Sequence, residues 1–304
     1  MPLTSTVDLH ATDFSGTLFP LETNRIVIER GAAALSDYIY KHIAPDKTGE
    51  ASFLAQERVY ACKHEWNLRR THKLDPVAEF YLYDVVYRNR ARFRIGRSPP
   101  RHSFGYFFAG GEVVPPSDAY RAFKTGIHAG GEAHTHYLRF DVANYFNSLY
   151  HHDLAAWFED QINAADAPLF GKFLRQINAG RTVDCLTQGI APTKIIGSHF
   201  LRFLEEAQRL QSPQLLRFMD DVFLFADSEN ILRDDFILLQ KLLGDRGLSV
   251  NPAKTRFGEA TPDLIDVGVD ALRAELLKRK GKIYRSSDDF DETGEPEALS
   301  EEEE

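Results

Sequence analysis

The stretch Leu215-Leu216-Arg217-Phe218-Met219-Asp220-Asp221-Val222-Phe223-Leu224-Phe225 constrains this chain more than any other. Two adjacent carboxylates stand in the middle of an apolar, β-prone run. An unpaired ionised carboxylate is costly to bury, so a continuous strand is a poor home for the pair. A tight hairpin resolves the conflict. Leu215 to Met219 forms one strand, Asp220-Asp221 sits at the bend, and Val222 to Phe225 returns. The acids then point together at a divalent cation. A hard cation such as Mg²⁺ takes carboxylate oxygen and keeps positions open for substrate phosphates. An ordinary surface turn, in which Asp is favoured, is the other reading of these residues.

At 304 residues, 43% of them hydrophobic and 27% charged, the chain can bury one large core or two smaller ones. No run approaches the roughly 18 apolar residues of a membrane span. The N-terminus lacks a basic stretch followed by an apolar core, so no secretory leader is read and a cytoplasmic location is expected. Cys62 and Cys185 lack metal-type spacing and read as free thiols of a reducing compartment. The net charge of −9 argues against a nucleic-acid binder only until its source is located. Residues 286–304 hold ten acids and no Lys or Arg; removing them takes the net charge to +1. That tail reads as disordered and solvating, and the remaining body has room for a basic groove.

Along the chain, residues 1–22 show no periodicity. Helical patterns run from Asn24 to about His42 and from Phe53 to Arg70. Asp75-Pro76 is a strong helix start, Asp as N-cap and Pro in the first turn, for a helix expected to reach Ile95 and stop at Gly96. Arg88, Arg90, Arg92, Arg94, Arg97 and Arg101, interleaved with Tyr87 and Phe93, suggest a phosphate-contacting surface. Arg101 to Phe108 reads as a strand. Ser117 opens a short helix to Ile127, and Gly126 to Gly131 breaks the chain again. Tyr137 to Val142 is a strand ending in Asp141, and Asn144 to Leu149 turns into further helices. A helix is expected from Ile195 to Leu210, another from Leu232 to Leu243, and short strands at Gly247 to Asn251 and Thr261 to Val269. His134, His136, His151 and His152 fit no zinc spacing, have no cysteine partners, and are assigned to surface or helix faces.

The order of these pieces resembles the palm of reverse transcriptases. Asp141-Val142-Ala143-Asn144-Tyr145-Phe146 is similar to their first palm motif, and Thr187-Gln188-Gly189 through Ser198 to their second. Phe218-Met219-Asp220-Asp221 matches the third, and Gly247-Leu248-Ser249-Val250-Asn251-Pro252-Ala253-Lys254-Thr255 the fourth. The resemblance covers about residues 100–260. Arg101 to Ile127 resembles the fingers-to-palm segment of bacterial retroelement enzymes, but Phe107 stands where the family has an arginine. Pro192-Thr193-Lys194 and a late serine make the second motif more similar to defence-associated, abortive-infection-type enzymes than to mobile-intron ones.

The resemblance implies an α+β, right-hand fingers–palm fold, an antiparallel palm sheet flanked by helices. Residues 1–100 would form a helical fingers region, 101–270 the fingers–palm domain, and 271–304 a short helix and the acidic tail. Few residues separate the fourth motif from that tail, so a thumb is expected to be absent, minimal or supplied by a partner. The implied activity is addition of dNTPs to a 3′-hydroxyl by two-metal nucleotidyl transfer, in bacterial anti-phage defence. The cofactor would be two Mg²⁺ ions, with Mn²⁺ as substitute, about 3.5–4 Å apart. Asp141 and Asp220 would bridge the metals, with Asp221 in support and the Val142 carbonyl on the nucleotide side. Phe146 would exclude a ribose 2′-hydroxyl, with Tyr145 packed inward. Gln188 and Gly189 would support the template and incoming base, Arg101 the substrate, and Lys254 the leaving pyrophosphate. The partners would be an RNA or DNA template–primer, dNTPs and a protein or non-coding RNA, without a membrane. Two other activities fit the same residues: untemplated or protein-primed synthesis, and a catalytically weak palm serving as a nucleic-acid-binding scaffold.

Overall fold

The apolar run around the two aspartates forms a hairpin, with its bend one residue earlier than expected. Strand β7 is Gln214–Phe218 and β8 is Asp221–Ala226, so Met219 and Asp220 form the loop and Asp221 begins the return strand. The computed structural model describes residues 3–62, 68–94, 101–181 and 186–264. Residues 1–262 form one unit; of the second, 263–304, only Asp263 and Leu264 are described. The acidic tail, Gly96, Arg97, Cys185 and most of the expected strand 261–269 therefore lie outside the described residues.

The hairpin is the centre of a five-stranded sheet. Strand β3 is Arg101–Ser103, β6 is His136–Asp141 and β9 is Arg256–Glu259; the order is β3-β7-β8-β6-β9. Only the β3–β7 pairing is parallel. Successive side chains of a strand face opposite ways. Phe140 therefore points with its cross-strand partner Val222 to one face, where it meets Phe236 of α8, Glu229–Gly244. Phe223 points to the other face and meets Phe123 of α4, Pro116–Ala133. Both faces are covered, which explains why Val222 to Ala226 is apolar without alternation. Each such buried side chain contributes about 1.5–3 kcal/mol.

Helix α4 runs straight through the glycines expected to break it. A Cβ on Gly130 would stand 2.7 Å from the Phe225 ring and 2.8 Å from Gln214 Oε1, so glycine lets the helix lie close on the sheet. Packing overrides propensity here.

Residues 1–22, read as irregular, contain α1, Thr6–Phe14. Its buried side is polar. Thr6 donates to Asp84 at 2.8 Å and His10 Nε2 lies 3.1 Å from Glu79, both acids on α3, Pro76–Arg88. Helix α3 begins as expected, with Asp75 accepting from the N–H groups of Val77 and Ala78. It ends at Arg88, seven residues short of expectation. Arg88 pairs with Asp166, and Arg90 folds back over the Tyr87 ring at 4.2 Å, so these arginines do not line a continuous helix face. Helix α2, Glu22–Asp37, continues through a π-helical turn, Tyr38–Ile43.

The largest correction concerns residues 53–70. This segment is not a helix: Glu57–Cys62 and Leu68–Lys73 are strands β1 and β2 of an antiparallel pair. The antiparallel pairing of Glu57–Cys62 with Leu68–Lys73 satisfies their backbone groups across the ladder in place of a helix. Strands β4, Phe108–Ala109, and β5, Glu112–Val113, make a second small pair. Helices α5, His151–Gln161, and α6, Ala167–Ile177, pack together, with Phe158 stacked on Phe170. Helix α7, Ala191–Phe200, starts earlier than expected and gives way to a 3₁₀ turn, Leu201–Phe203. The segment 247–251 makes one bridge, Val142 to Val250, and not a strand. Among the described residues no helix is long and apolar enough to cross a membrane.

Candidate active site

The catalytic candidates converge because neighbouring strands end together. Asp141, the last residue of β6, pairs across the sheet with Asp221, the first of β8. Met219 and Asp220 bridge Phe218 and Asp221 as a two-residue loop. Met219 carries φ of +57°, the left-handed conformation that two-residue hairpin loops use and that costs a non-glycine residue about 1–2 kcal/mol. The loop is tied on both sides. The Val142 N–H donates to the Asp220 carbonyl at 3.2 Å, and the Arg217 guanidinium donates to the Met219 carbonyl at 2.7 Å. The Asn251 N–H donates to the Asp141 carbonyl at 2.7 Å, which joins the fourth motif to the end of β6.

Charge in this corner is unbalanced. Burial and the neighbouring Asp141 carboxylate push the Asp220 acid up to about 7. Asp221 is also raised, by burial first; Arg139, 3.5 Å away, opposes that shift. Lys254 Nζ lies 2.7 Å from Asp141. Burial disfavours its ammonium, but the hydrogen bond to Asp141 and the surrounding acids outweigh this and raise its pKa. Among the described residues no three or more His, Cys, Asp or Glu side chains gather into a ready-made metal site. Two neighbouring carboxylates, Asp141 buried and Asp220 half-buried, already drawing one cationic side chain, nevertheless have the chemistry that suits a divalent cation.

Asp141, Asp220 and Lys254 line a cleft of about 520 Å³. Asp141, Val142, Phe146, Gln188, Gly189, Asp220 and Lys254, singled out from the sequence, all line it. Tyr145 is buried and donates to the Gly197 carbonyl at 2.7 Å, and both it and the more exposed Phe146 line the cleft. Gly189 has φ of +104°, and a Cβ there would stand 2.3 Å from the Leu18 Cβ. Its carbonyl accepts from the Leu18 N–H at 3.1 Å. Arg101 is not in the cleft: its guanidinium donates to the carbonyls of Ala207 and Leu210, both at 2.7 Å, and closes the loop after α7. Asp221 is turned toward Arg139 and does not line the cleft.

The same cleft is lined by residues given no role by the sequence motifs. Arg69 and Arg70 of β2 and Lys194 of α7 line it. Burial lowers the Lys194 pKa, partly offset by Asp13 and reinforced by Arg69. A cation so destabilised gains from a bound anion. The hairpin is fastened to the cleft by Thr71, whose hydroxyl donates to the Gln188 carbonyl at 3.0 Å and accepts from the Gln188 N–H at 2.9 Å. Arg69-Arg70-Thr71 is the sequence signal for this part of the cleft, at the end of the segment expected to be helical.

Comparison with curated proteins finds no match. Among solved structures, an apo telomerase from Candida tropicalis is similar with 10% sequence identity and a TM-score of 0.44. The likeness covers 77% of this chain and 49% of that one, so the chain spans about half that telomerase's length. The sequence pattern of the family described as reverse transcriptase (RNA-dependent DNA polymerase) matches residues 113–278, over half of the chain and the span that holds both cleft aspartates. The chain belongs to the reverse transcriptase family of nucleotidyltransferases.

Proposed function

We propose that this protein is a template-directed DNA polymerase that joins dNTPs to a primer 3′-hydroxyl in the cleft of β6, β8 and α7. One observation carries the reading: Asp141 and Asp220 line the same cleft as the cationic side chains Arg69, Arg70 and Lys194. Nucleotide transfer needs that combination, with metal at the reacting phosphorus and positive charge around the remaining phosphates. Asp141 and Asp220, with Asp221 and the Val142 carbonyl beside them, would hold Mg²⁺ or Mn²⁺. Bound there, the cations would activate the primer hydroxyl and stabilise the leaving pyrophosphate. Arg69, Arg70 and Lys194 hold the triphosphate. Phe146 stands against the sugar and selects deoxyribose. Gln188 and Gly189 present a backbone surface to the incoming base and template. Lys254, kept protonated by its acidic neighbours, supplies a proton to the pyrophosphate.

The template–primer is RNA or DNA, and the cellular role is bacterial anti-phage defence, as the second-motif resemblance implies. The test is incorporation of labelled dNTPs with Mg²⁺ on primed RNA, on primed DNA and without template, beside Asp220→Ala/Asp221→Ala. Template-programmed product that disappears in the double variant is expected. Product without template would transfer the reading to untemplated synthesis. No product from a folded protein that binds nucleic acid would leave a scaffold.

A further inference from the structure

Arg217 is the next-to-last residue of β7, its side chain is fully buried, and nothing in the proposed chemistry uses it. Its partners are unusual in their spread. Nε and Nη2 make a bidentate pair with Glu205, at 2.9 and 2.6 Å. Nη2 also donates to the Ser198 carbonyl on α7 at 2.9 Å and to Ser103 Oγ on β3 at 3.0 Å. Nη1 donates to the Met219 carbonyl, inside the left-handed turn next to Asp220. A buried guanidinium is expensive to desolvate, and an apolar residue would fill a strand at less cost. Its planar fork can hold several acceptors at fixed angles, which lysine's point charge cannot.

We infer that Arg217, oriented by Glu205, is a positioning residue that sets the Asp141–Asp220 separation and locks it to α7, and so tunes divalent-cation binding and the chemical step. The inference rests on the polymerase reading for the second effect only. The turn has two anchors, on the successive peptides that flank Asp220. Val142 N–H holds the Asp220 carbonyl to the β6 side, and Arg217 holds the Met219 carbonyl to the α7 side. Without the second anchor, a strained turn beside two repelling carboxylates relaxes, and the acids move apart. The same guanidinium grips Ser198, so α7, which carries Lys194 at the cleft, keeps its distance from the aspartates.

The test compares Arg217→Lys and Glu205→Gln with Phe158→Leu, a core change in α5 that lowers stability away from the cleft. Mn²⁺ affinity is measured by calorimetry on the full chain, and kcat and KM for dNTP on a primed template. Both site variants should weaken Mn²⁺ binding about tenfold and lower kcat by at least as much, with KM changed less than threefold. Phe158→Leu should lower Tm with metal affinity and kcat intact. If Glu205→Gln folds and binds Mn²⁺ as the wild type does, the inference is overturned whatever Arg217→Lys does. Calorimetry needs no turnover. A wild type that binds Mn²⁺ and incorporates nothing removes the polymerase reading, while the affinity ratio still decides this one. A wild type that binds no Mn²⁺ overturns both.

Discussion

Thr71→Val removes one hydroxyl, adds one methyl and leaves the shape of a buried position nearly unchanged. The hydroxyl makes two hydrogen bonds, one to each backbone group of Gln188. Each is worth about 1 kcal/mol net, and leaving a buried donor or acceptor without a partner costs about 1–3 kcal/mol. The total is about 2–4 kcal/mol. That cost falls on the docking of β1–β2 more than on the whole fold, because a two-stranded ladder is marginal by itself. A loss of about 2–3 kcal/mol reduces the docked fraction's equilibrium constant roughly 30- to 140-fold. When only a fraction of molecules is competent, apparent affinity falls by that fraction. KM for dNTP should therefore rise about tenfold or more, through Arg69 and Arg70, with a smaller change in kcat. Steady-state dNTP titration, hydrogen exchange over residues 57–73 and thermal melting read the three quantities. If Tm falls by the full amount while KM and exchange in the hairpin stay at wild-type values, the hairpin is not separately docked and the reasoning is wrong.

Asp220→Asn should cut incorporation by about 10³-fold or more while raising the melting temperature of the metal-free protein at pH 8. The sign follows from linkage: a folded-state value of about 7 against 3.8 means a stabilising contribution that is present below 3.8 and lost as pH rises through about 7. Melting of metal-free wild type should therefore drop between about pH 4 and pH 7 and level off above, and the variant should lose most of that slope; equal slopes would contradict it. Gly189→Ala should destabilise by more than about 2 kcal/mol, since both its φ and the Leu18 contact oppose a side chain. A melt unchanged from wild type refutes that geometry. Phe146→Ala should lower the dNTP-to-rNTP ratio of kcat/KM by about tenfold or more. An unchanged ratio would leave Phe146 a packing residue.

What is legible in the sequence is what side-chain chemistry and strand patterning carry. Asp141 and Asp220 stand out because carboxylates interrupt apolar runs, and Asp75-Pro76 because capping is local. Helix α1 is invisible to hydrophobic periodicity because His10 and Thr6 are buried against Glu79 and Asp84, partners about 70 to 80 residues away. The β1–β2 hairpin is settled by Thr71 meeting Gln188, 117 positions later. Arg101 has the chemistry of a phosphate ligand, but two carbonyls over 100 residues on claim it. Arg217 shows the reverse: an arginine inside an apolar strand is a visible anomaly, while its four acceptor groups are known only from the fold. In each case a long-range partner decides what a local pattern leaves open.

The order of strands in the sheet also governs how the chain acquires it. Strand β8 is the middle strand, and the outermost strand on one side, β3, pairs with β7 across 114 residues of chain. During synthesis β3 emerges long before β7, which is complete only at residue 218, and β6 before β8, complete only at residue 226. Closing loops of that length precedes any reward from strand pairing, which slows folding and populates intermediates. Once made, the apolar run from Val222 to Ala226 is exposed until β6 and both covering helices close on it, and α8 is made only after it. The segment that carries the paired-aspartate turn is thus also the one on which a chaperone would have most to protect.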